Sequence, residues 1–203
     1  MKYIMLFENW KDQGESNPEF EKDVLHIIQD FNYYLRSTGV SIEDLLDKEK
    51  FENFLINCKT GWGQKRYPSL GNSRGEFTVS FNFSHIKNGK KIYFYDETFF
   101  DVNRFEPDTI KEYHTCYLIE DDKCIGVCKY TLDIREGKKI YIVSKIGVIS
   151  SKRRKGYGTD ILNHIEKLNP GYSYYDKTDT TIKGDRFFHK VRGSKLFYSE
   201  NRY

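Results

Sequence analysis

The sequence predicts an α/β (α+β) fold, a mixed, mostly antiparallel twisted sheet flanked by helices, with a helical extension at the N-terminal end. Apolar residues recur at helical spacing between residues 18 and 58, which indicates two amphipathic helices. From Glu76 onward, apolar and polar residues alternate with a period of two, which is typical of strands. Helical spacing returns after Gly156. With 203 residues, the chain can bury a core without the help of disulfides or metals.

The first predicted helix begins at Asn17-Pro18, since Asn caps helices and Pro suits their first turn. It runs to about Gly39. Ser41 resembles the first residue of a capping box that opens a second helix. Its apolar face contains Leu45, Leu46, Phe51, Phe54, Leu55 and Cys58.

The middle of the chain predicts strands joined by tight turns. Asn88-Gly89 is a hairpin signal between strands at 76–83 and 91–95. Strands at 114–120, 124–134 and 139–149, separated by short polar turns, predict an antiparallel meander. The segment 98–112 is ambiguous, with a short helix near Glu106. The remaining predicted elements are a helix ending at 169–171, a strand at 172–176, a helix at 181–191 and a strand at 195–198.

Composition narrows the class of protein. Charged residues make up 31% of the chain and the mean hydropathy is −0.72, which argues against a membrane-spanning helix. The first ten residues lack the apolar stretch of a secretory signal. The four cysteines form no C-x-x-C pair, so buried thiols in a reduced, cytoplasmic protein are expected. Alanine is absent, which suggests an AT-rich coding sequence of the kind found in many bacteria and viruses.

Charge is unevenly distributed along the chain. Residues 1–60 carry 7 Lys/Arg and 12 Asp/Glu, whereas residues 151–203 carry 12 Lys/Arg and 6 Asp/Glu. A basic C-terminal quarter suggests a polyanionic partner, either nucleic acid or a phosphorylated cofactor, although a solvated surface would give the same count.

Residues 145–168 carry the strongest functional pattern. A strand ends near Ile149, a basic loop containing Gly156 and Gly158 follows, and an amphipathic helix begins. Glycines let a ligand approach the backbone closely, and the first turn of a helix offers N–H groups and positive potential. This combination predicts a phosphate or pyrophosphate site. The glycine spacing matches neither a P-loop nor a dinucleotide-binding fingerprint.

The run 153–158, Arg-Arg-Lys-Gly-Tyr-Gly, has the form R-x-x-G-x-G. In its strand–loop–helix setting it resembles the acetyl-CoA signature of the GCN5-related N-acetyltransferases, the GNAT family. The resemblance covers about residues 90–203, including a Gly184–Lys190 segment similar to a later helix of the family. It implies a division into an N-terminal helical and hairpin extension, 1–90, which could be integral to the fold, and an acetyl-CoA-binding domain, 91–203.

The resemblance also implies which residues bind acetyl-CoA. The preceding strand would offer backbone groups to the pantetheine and the thioester, and Gly147 suits a strand that bulges and splays from its neighbour. The loop amides would hold the pyrophosphate. The implied cofactor-binding residues are Ile146, Gly147, Val148, Arg153, Arg154, Lys155, Gly156, Tyr157, Gly158 and Thr159.

The catalytic assignment departs from the family pattern. Phe188 stands where the general-acid Tyr is most often found, which leaves His189 and Tyr198 as candidate catalytic residues. The strand that often carries a Glu base offers Ser144 and Lys145 instead. The base would then be Asp176 or a chain of water molecules.

The resulting hypothesis is an enzyme that moves an acetyl group from acetyl-CoA to an amine by direct attack on the thioester. The alternative is a non-catalytic binding protein on a degenerate acetyltransferase fold, with nucleic acid or a protein as partner. The sequence leaves open the acyl acceptor and the choice between monomer and homodimer, and it predicts no membrane partner.

A second alternative concerns the origin of the protein. Leu6-Phe7-Glu8 is an L-x-E tripeptide, similar to the head-targeting segments that a prohead protease cleaves in some tailed phages. With the absence of alanine, it suggests a phage-encoded or virion-packaged protein. Its location would then be the host cytoplasm or the virion.

Overall fold

The computed structural model describes residues 18–57, 75–102 and 110–175. In these ranges three α-helices and six strands form the fold. The helices are α1 (Pro18–Thr38), α2 (Lys48–Asn57) and α3 (Tyr157–Leu168). The strands are β1 (Gly75–Lys87), β2 (Lys90–Val102), β3 (Ile110–Glu120), β4 (Lys123–Arg135), β5 (Lys138–Val148) and β6 (Ser173–Tyr174).

The six strands form one sheet in the order β1-β2-β3-β4-β5-β6. The ladders β1–β2, β2–β3 and β4–β5 are antiparallel, and only β5–β6 is parallel among the pairings described. The predicted class, a mixed fold with a mostly antiparallel sheet flanked by helices, is confirmed. No described helix is long and apolar enough to cross a membrane.

The first helix begins at Pro18 and ends before Gly39, as predicted. The second predicted helix is divided. A 3-10 turn, Asp44–Leu46, precedes α2, and the backbone of Asp47 between them is extended. Ser41 Oγ accepts a hydrogen bond from the Asp44 N–H (3.1 Å), and Asp47 Oδ1 accepts one from the Lys50 N–H (3.0 Å). Each polar side chain thus caps its own short element, which apolar spacing alone does not reveal.

The predicted hairpin turns are confirmed. Asn88 and Gly89 have φ of 52° and 74°, and Glu136 and Gly137 have φ of 51° and 74°. Positive φ at both central residues matches the twist of two-residue hairpins. β2 and β3 are longer than predicted and take up most of the ambiguous segment 98–112. Residues 103–109, where a short helix was expected, lie outside the described residues.

The chain divides into two compact units, one formed by Ile28–Cys124 and the other by Met1–Ile27 together with Ile125–Tyr203. In the Ile28–Cys124 unit, aromatic rings join the helices to the sheet. The Phe31 ring stacks on Tyr117 with centroids 4.0 Å apart, and Phe54 meets Tyr95 edge-on at 5.9 Å. These four side chains are almost fully buried, so the core of this unit is largely aromatic.

In the other unit, α3 packs its apolar stripe onto β4 and β5. Ile161, Leu162 and Ile165 have no exposed surface, and the facing strand residues Ile146 and Val148 are also buried. Of the cysteines, Cys116, Cys124 and Cys128 are buried thiols, in agreement with the prediction, while Cys58 lies outside the described residues.

Candidate functional site

The end of strand β5 is the first component of the site. Its register with β4 pairs Gly147 with Val127 and Val148 with Gly126. The irregularity lies earlier, where Lys129 pairs with Lys145 and Tyr130 with Val143, so that Ser144 is the extra residue.

The strand that contains Gly147 therefore does bulge, but three residues before that glycine. The bulge is centred on Ser144, whose Oγ donates a hydrogen bond to the Lys129 carbonyl (3.1 Å). A serine side chain can satisfy a backbone group that the bulge removes from the ladder, which a glycine cannot do.

Strand β6 runs beside β5 for a short distance only. Ile140 pairs with Ser173 and Tyr141 with Tyr174, and the Tyr175 N–H donates to the Tyr141 carbonyl (2.9 Å). Within the described part of the chain, the ladder stops there, and residues 142–148 of β5 extend beyond it. A strand edge beyond its ladder can receive an extended ligand through backbone hydrogen bonds.

A tight turn connects β5 to α3. Residues Ser150–Lys152 form a 3-10 turn, and Arg153 folds back so that its Nε donates to the Val148 carbonyl (3.2 Å). Arg154 has φ of 63°, a left-handed backbone conformation that is strained for a residue other than glycine. The Arg153 bond thus secures the turn against the end of the strand that precedes it.

Gly156 sets the direction of the helix. Its φ of 77° and ψ of 10° place it in the left-handed region, and it immediately precedes α3. The first backbone bond of the helix runs from the Asp160 N–H to the Gly156 carbonyl (3.0 Å). The N–H groups of residues 157–159 therefore come before the helical ladder, at the positive end of the helix dipole.

Side chains add further positive charge at this end of α3. Arg154 and Lys155 are exposed, whereas Lys152 and Arg153 are half-buried. Tyr157 is buried and anchors the first turn of the helix. Directed N–H groups, the helix dipole and exposed cations together favour an anionic ligand such as a phosphate or pyrophosphate.

Packing holds α3 close to the strands. A Cβ atom built on Gly126 would lie 3.1 Å from Ile161 Cδ1, 3.3 Å from the Gly147 carbonyl oxygen and 3.4 Å from Val148 Cγ2. Gly126 thus allows helix and strand to approach each other at the level of Gly147. Sequence reasoning did not single out Gly126, although a glycine inside a strand indicates such close approach.

An ion pair joins α1 to the same part of β5. Lys145 Nζ lies 2.5 Å from Asp23 Oδ2. The hydrogen bond from Lys145 is the main reason that the pKa of Asp23 lies below its ordinary value. Sequence reasoning noted Lys145 but did not find its partner, because the two residues are 122 positions apart.

The structure places all ten predicted cofactor-binding residues on one continuous strand–turn–helix segment. Gly147 and Val148 stand at the end of the strand, and Gly156 with the residues after it opens the helix. Their role as ligands remains a prediction. The predicted catalytic residues His189 and Tyr198, together with Phe188 and Asp176, lie outside the described residues.

The Ile28–Cys124 unit contains a polar cluster around the buried His114 that the sequence did not predict. His114 Nδ1 lies 3.1 Å from Thr98 Oγ1, and its Nε2 lies 3.0 Å from Glu112 Oε1. Burial lowers the pKa of His114 to about 4, while the charge of Asp96 acts in the opposite direction. Burial raises the pKa of Glu112.

Comparison with known proteins gives one family match. Residues 82–180 match the model of the acetyltransferase (GNAT) family. The matched range extends from the second half of β1 to just beyond β6 and includes the whole strand–turn–helix segment. No curated protein matches the sequence.

Among solved structures, similarity extends to the crystal structure of a possible acetyltransferase from Clostridium difficile 630. The two chains are 18% identical, with a TM-score of 0.35, over 46% of this chain. The alignment spans 63% of the length of that structure.

Proposed function

We propose that this protein, whose residues 82–180 match the model of the acetyltransferase (GNAT) family, transfers an acetyl group from acetyl-CoA to an amine. The observation that carries the proposal is the segment from Ile146 to Thr159. It combines a strand that extends beyond its described ladder with β6, a left-handed glycine and a helix N-terminus with exposed cations. Such an arrangement suits a ligand with an extended amide-containing arm and a pyrophosphate.

In the proposed complex, backbone groups of Ile146, Gly147 and Val148 bind the pantetheine arm. The N–H groups at the start of α3 bind the pyrophosphate, and Arg154 and Lys155 add charge attraction. Acetyl-CoA supplies the activated acyl group as a thioester.

A neutral amine attacks the thioester carbonyl carbon, the C–S bond breaks, and the amine nitrogen loses a proton while the departing thiolate gains one. The Val148 N–H is the proposed donor to the oxyanion. Positioning provides most of the rate enhancement, because a thiolate leaves without strong acid assistance. The amine acceptor is the proposed partner, and His189 and Tyr198 are the proposed acid–base residues.

Calorimetric titration with acetyl-CoA tests the cofactor site. In the Gly156→Asp variant, a carboxylate would stand where the pyrophosphate should bind, so we expect affinity to fall by at least about 100-fold. The matched control is Gly137→Asp in the β4–β5 turn. Gly137 has φ of 74°, close to the 77° of Gly156. Apart from the glycine itself and its two chain neighbours, no described heavy atom would lie within 4 Å of a Cβ added there.

Each outcome of the titration has a defined meaning. Binding that is lost in Gly156→Asp and retained in Gly137→Asp would support the site and justify a screen of amine acceptors. Failure of the folded wild-type protein to bind acetyl-CoA would overturn the proposed function.

The second candidate function is a non-catalytic binding protein on the same fold. It is favoured by the four consecutive basic residues Lys152–Lys155, which also suit a polyanion such as nucleic acid. Acetyl-CoA binding without turnover of any amine, or nucleic-acid binding that weakens steeply with salt, would favour this alternative.

The hypothesis of a phage-encoded or virion-packaged protein rests on Leu6-Phe7-Glu8, which lies outside the described residues. Intact-mass analysis of the protein from its native source tests it. Loss of residues 1–8 would support the hypothesis, and an intact N-terminus would contradict it.

A further inference from the structure

Lys145 lies on β5, two residues before Gly147, and its ammonium group is held by Asp23 of α1. The Nζ–Oδ2 distance is 2.5 Å, and the two side chains are 25% and 59% exposed, respectively. The pair is therefore accessible from solvent and is not a buried structural ion pair. The two residues belong to the same compact unit.

The register of β5 shows which face Lys145 occupies. Gly126 pairs with Val148, and a Cβ on Gly126 would point at both the Val148 side chain and Ile161 of α3. Val148 thus faces α3. Because successive residues of a strand point to opposite faces, and the pairing from Lys145 to Val148 is regular, Gly147 and Lys145 share the other face.

Lys145 and Gly147 are consequently neighbours on one face of the strand, with Cα atoms roughly 7 Å apart. A lysine side chain is long and flexible enough to reach across that distance. In the proposed function, the thioester of acetyl-CoA lies along the backbone at Gly147 and Val148. Lys145 then carries a primary amine beside the bound acetyl group.

We propose that Lys145 is acetylated by the acetyl-CoA bound to the same protein molecule, and that the ion pair with Asp23 restrains this reaction. The inference rests on the proposed function, since it requires acetyl-CoA at this site. It assigns to Lys145 a modification that the transfer reaction to an external acceptor does not require.

The reaction is balanced as follows. The ammonium leaves Asp23 and loses a proton to water, which restores the nitrogen lone pair. The nitrogen attacks the thioester carbonyl carbon, the C–S bond breaks, and the second proton lost by the nitrogen balances the proton taken up by the departing CoA thiolate. The products are an N-acetyl-lysine side chain and free CoA, and no oxidant, reductant or further reactant is needed.

The same geometry distinguishes Lys145 from neighbouring lysines. Lys129 pairs with Lys145 across the ladder, so it lies on the same face of the sheet. It stands on β4, however, and not on the strand that would bind acetyl-CoA. Lys152 and Lys155 lie in the turn, at the phosphate end of the proposed ligand. The side chain of Lys48 is 91% exposed. Acetylation of Lys48 therefore gives the rate of the non-enzymatic reaction.

The test uses the full-length protein and acetyl-CoA carrying an isotopically labelled acetyl group. Samples are taken over time, digested and analysed by peptide mass spectrometry, so that label at Lys145, Lys129 and Lys48 is measured in the same molecule. A urea-unfolded sample gives the intrinsic reactivity of each lysine. Calorimetry on the same preparation measures acetyl-CoA binding.

We expect Lys145 to gain label at least about tenfold faster than Lys48 in the folded protein, and at a similar rate when unfolded, because only folding brings the amine close to the thioester. Asp23→Asn should accelerate labelling several-fold by releasing the ammonium. The matched control is Asp44→Asn, which removes an ion pair of the same 2.5 Å length, to Lys50, on a different element.

Equal labelling of Lys145 and Lys48 in a protein that binds acetyl-CoA would overturn this inference and leave the proposed function intact. Absence of acetyl-CoA binding would overturn both. Labelling of Lys145 that is unchanged in Asp23→Asn would refute the restraining role of the ion pair.

Discussion

At the scale of single residues, Gly126 and Asp23 show how small features shape the proposed site. Gly126 allows α3 to lie against the backbone of Gly147, and Asp23 holds the amine of Lys145. Neither residue belongs to the strand–turn–helix segment itself. Both act on it through the tertiary structure.

The Gly126→Ala variant should be destabilised by about 1–3 kcal/mol, because the added methyl group would meet Ile161 Cδ1 at 3.1 Å and the Gly147 carbonyl at 3.3 Å. Movement of that carbonyl should also weaken acetyl-CoA binding. Chemical denaturation and calorimetry measure the two effects. Adding Ile161→Val removes the Cδ1 atom and should restore part of the stability. A double variant that is no more stable than the additive sum of the two changes would contradict the proposed contact.

At the scale of elements, α1 is fastened to the sheet by a side chain as well as by packing. Asn32 Nδ2 donates to the Cys124 carbonyl and Asn32 Oδ1 accepts from the Cys124 N–H, both at 2.9 Å. Asn32 is 6% exposed. One amide thus pairs with both backbone groups of a strand residue, as a neighbouring strand would.

Replacing Asn32 by Leu should lower the free energy of unfolding by roughly 2–6 kcal/mol, because two buried backbone groups lose their partners at about 1–3 kcal/mol each. Urea denaturation monitored by circular dichroism measures the change. Asn82→Leu on β1 is the control, since Asn82 is exposed and the substitution should have little effect. Equal stability of the two variants would contradict the role assigned to Asn32.

At the scale of the whole molecule, electrostatics governs the dependence of stability on pH. The charges of the acidic first sixty residues and the basic last quarter nearly cancel, and the whole chain has a net charge of only +3. A buried group with a strongly shifted pKa therefore has more effect on the pH dependence than the net charge. Among the described residues, His114 is such a group, because burial lowers its pKa from 6.5 to about 4.

The sign follows from proton binding. Between pH 6.5 and about 4 the unfolded chain binds a proton at His114 and the folded protein does not, so stability falls as pH falls. From pH 7 to pH 5 the loss should be about 2 kcal/mol. The raised pKa of Glu112 acts in the opposite direction at lower pH.

Denaturation curves at pH 7, 6 and 5 measure this loss. They should be compared with those of His114→Gln, which has no titrating imidazole and should depend less on pH. A variant with the same pH dependence as the wild-type protein would contradict the assignment to His114.

The amino-acid sequence by itself determined the features that depend on local physics. Alternation and turn residues predicted the meander and its hairpins, and Asn17-Pro18 and Gly39 bounded the first helix. The glycines of the basic loop predicted the turn between strand and helix, where the anion site stays a prediction. These patterns are readable because backbone conformation and amphipathic periodicity are properties of short segments.

Only the tertiary structure decided the features that join distant segments. The bulge at Ser144 depends on the register of two strands, the Asp23–Lys145 pair joins residues 122 positions apart, and the close approach at Gly126 exists only once α3 is packed. The length of β2 was also hidden, because Asp96, Glu97 and Thr98 interrupt its apolar alternation. Such contacts follow from which surfaces meet in the folded chain, and no local spacing encodes that meeting.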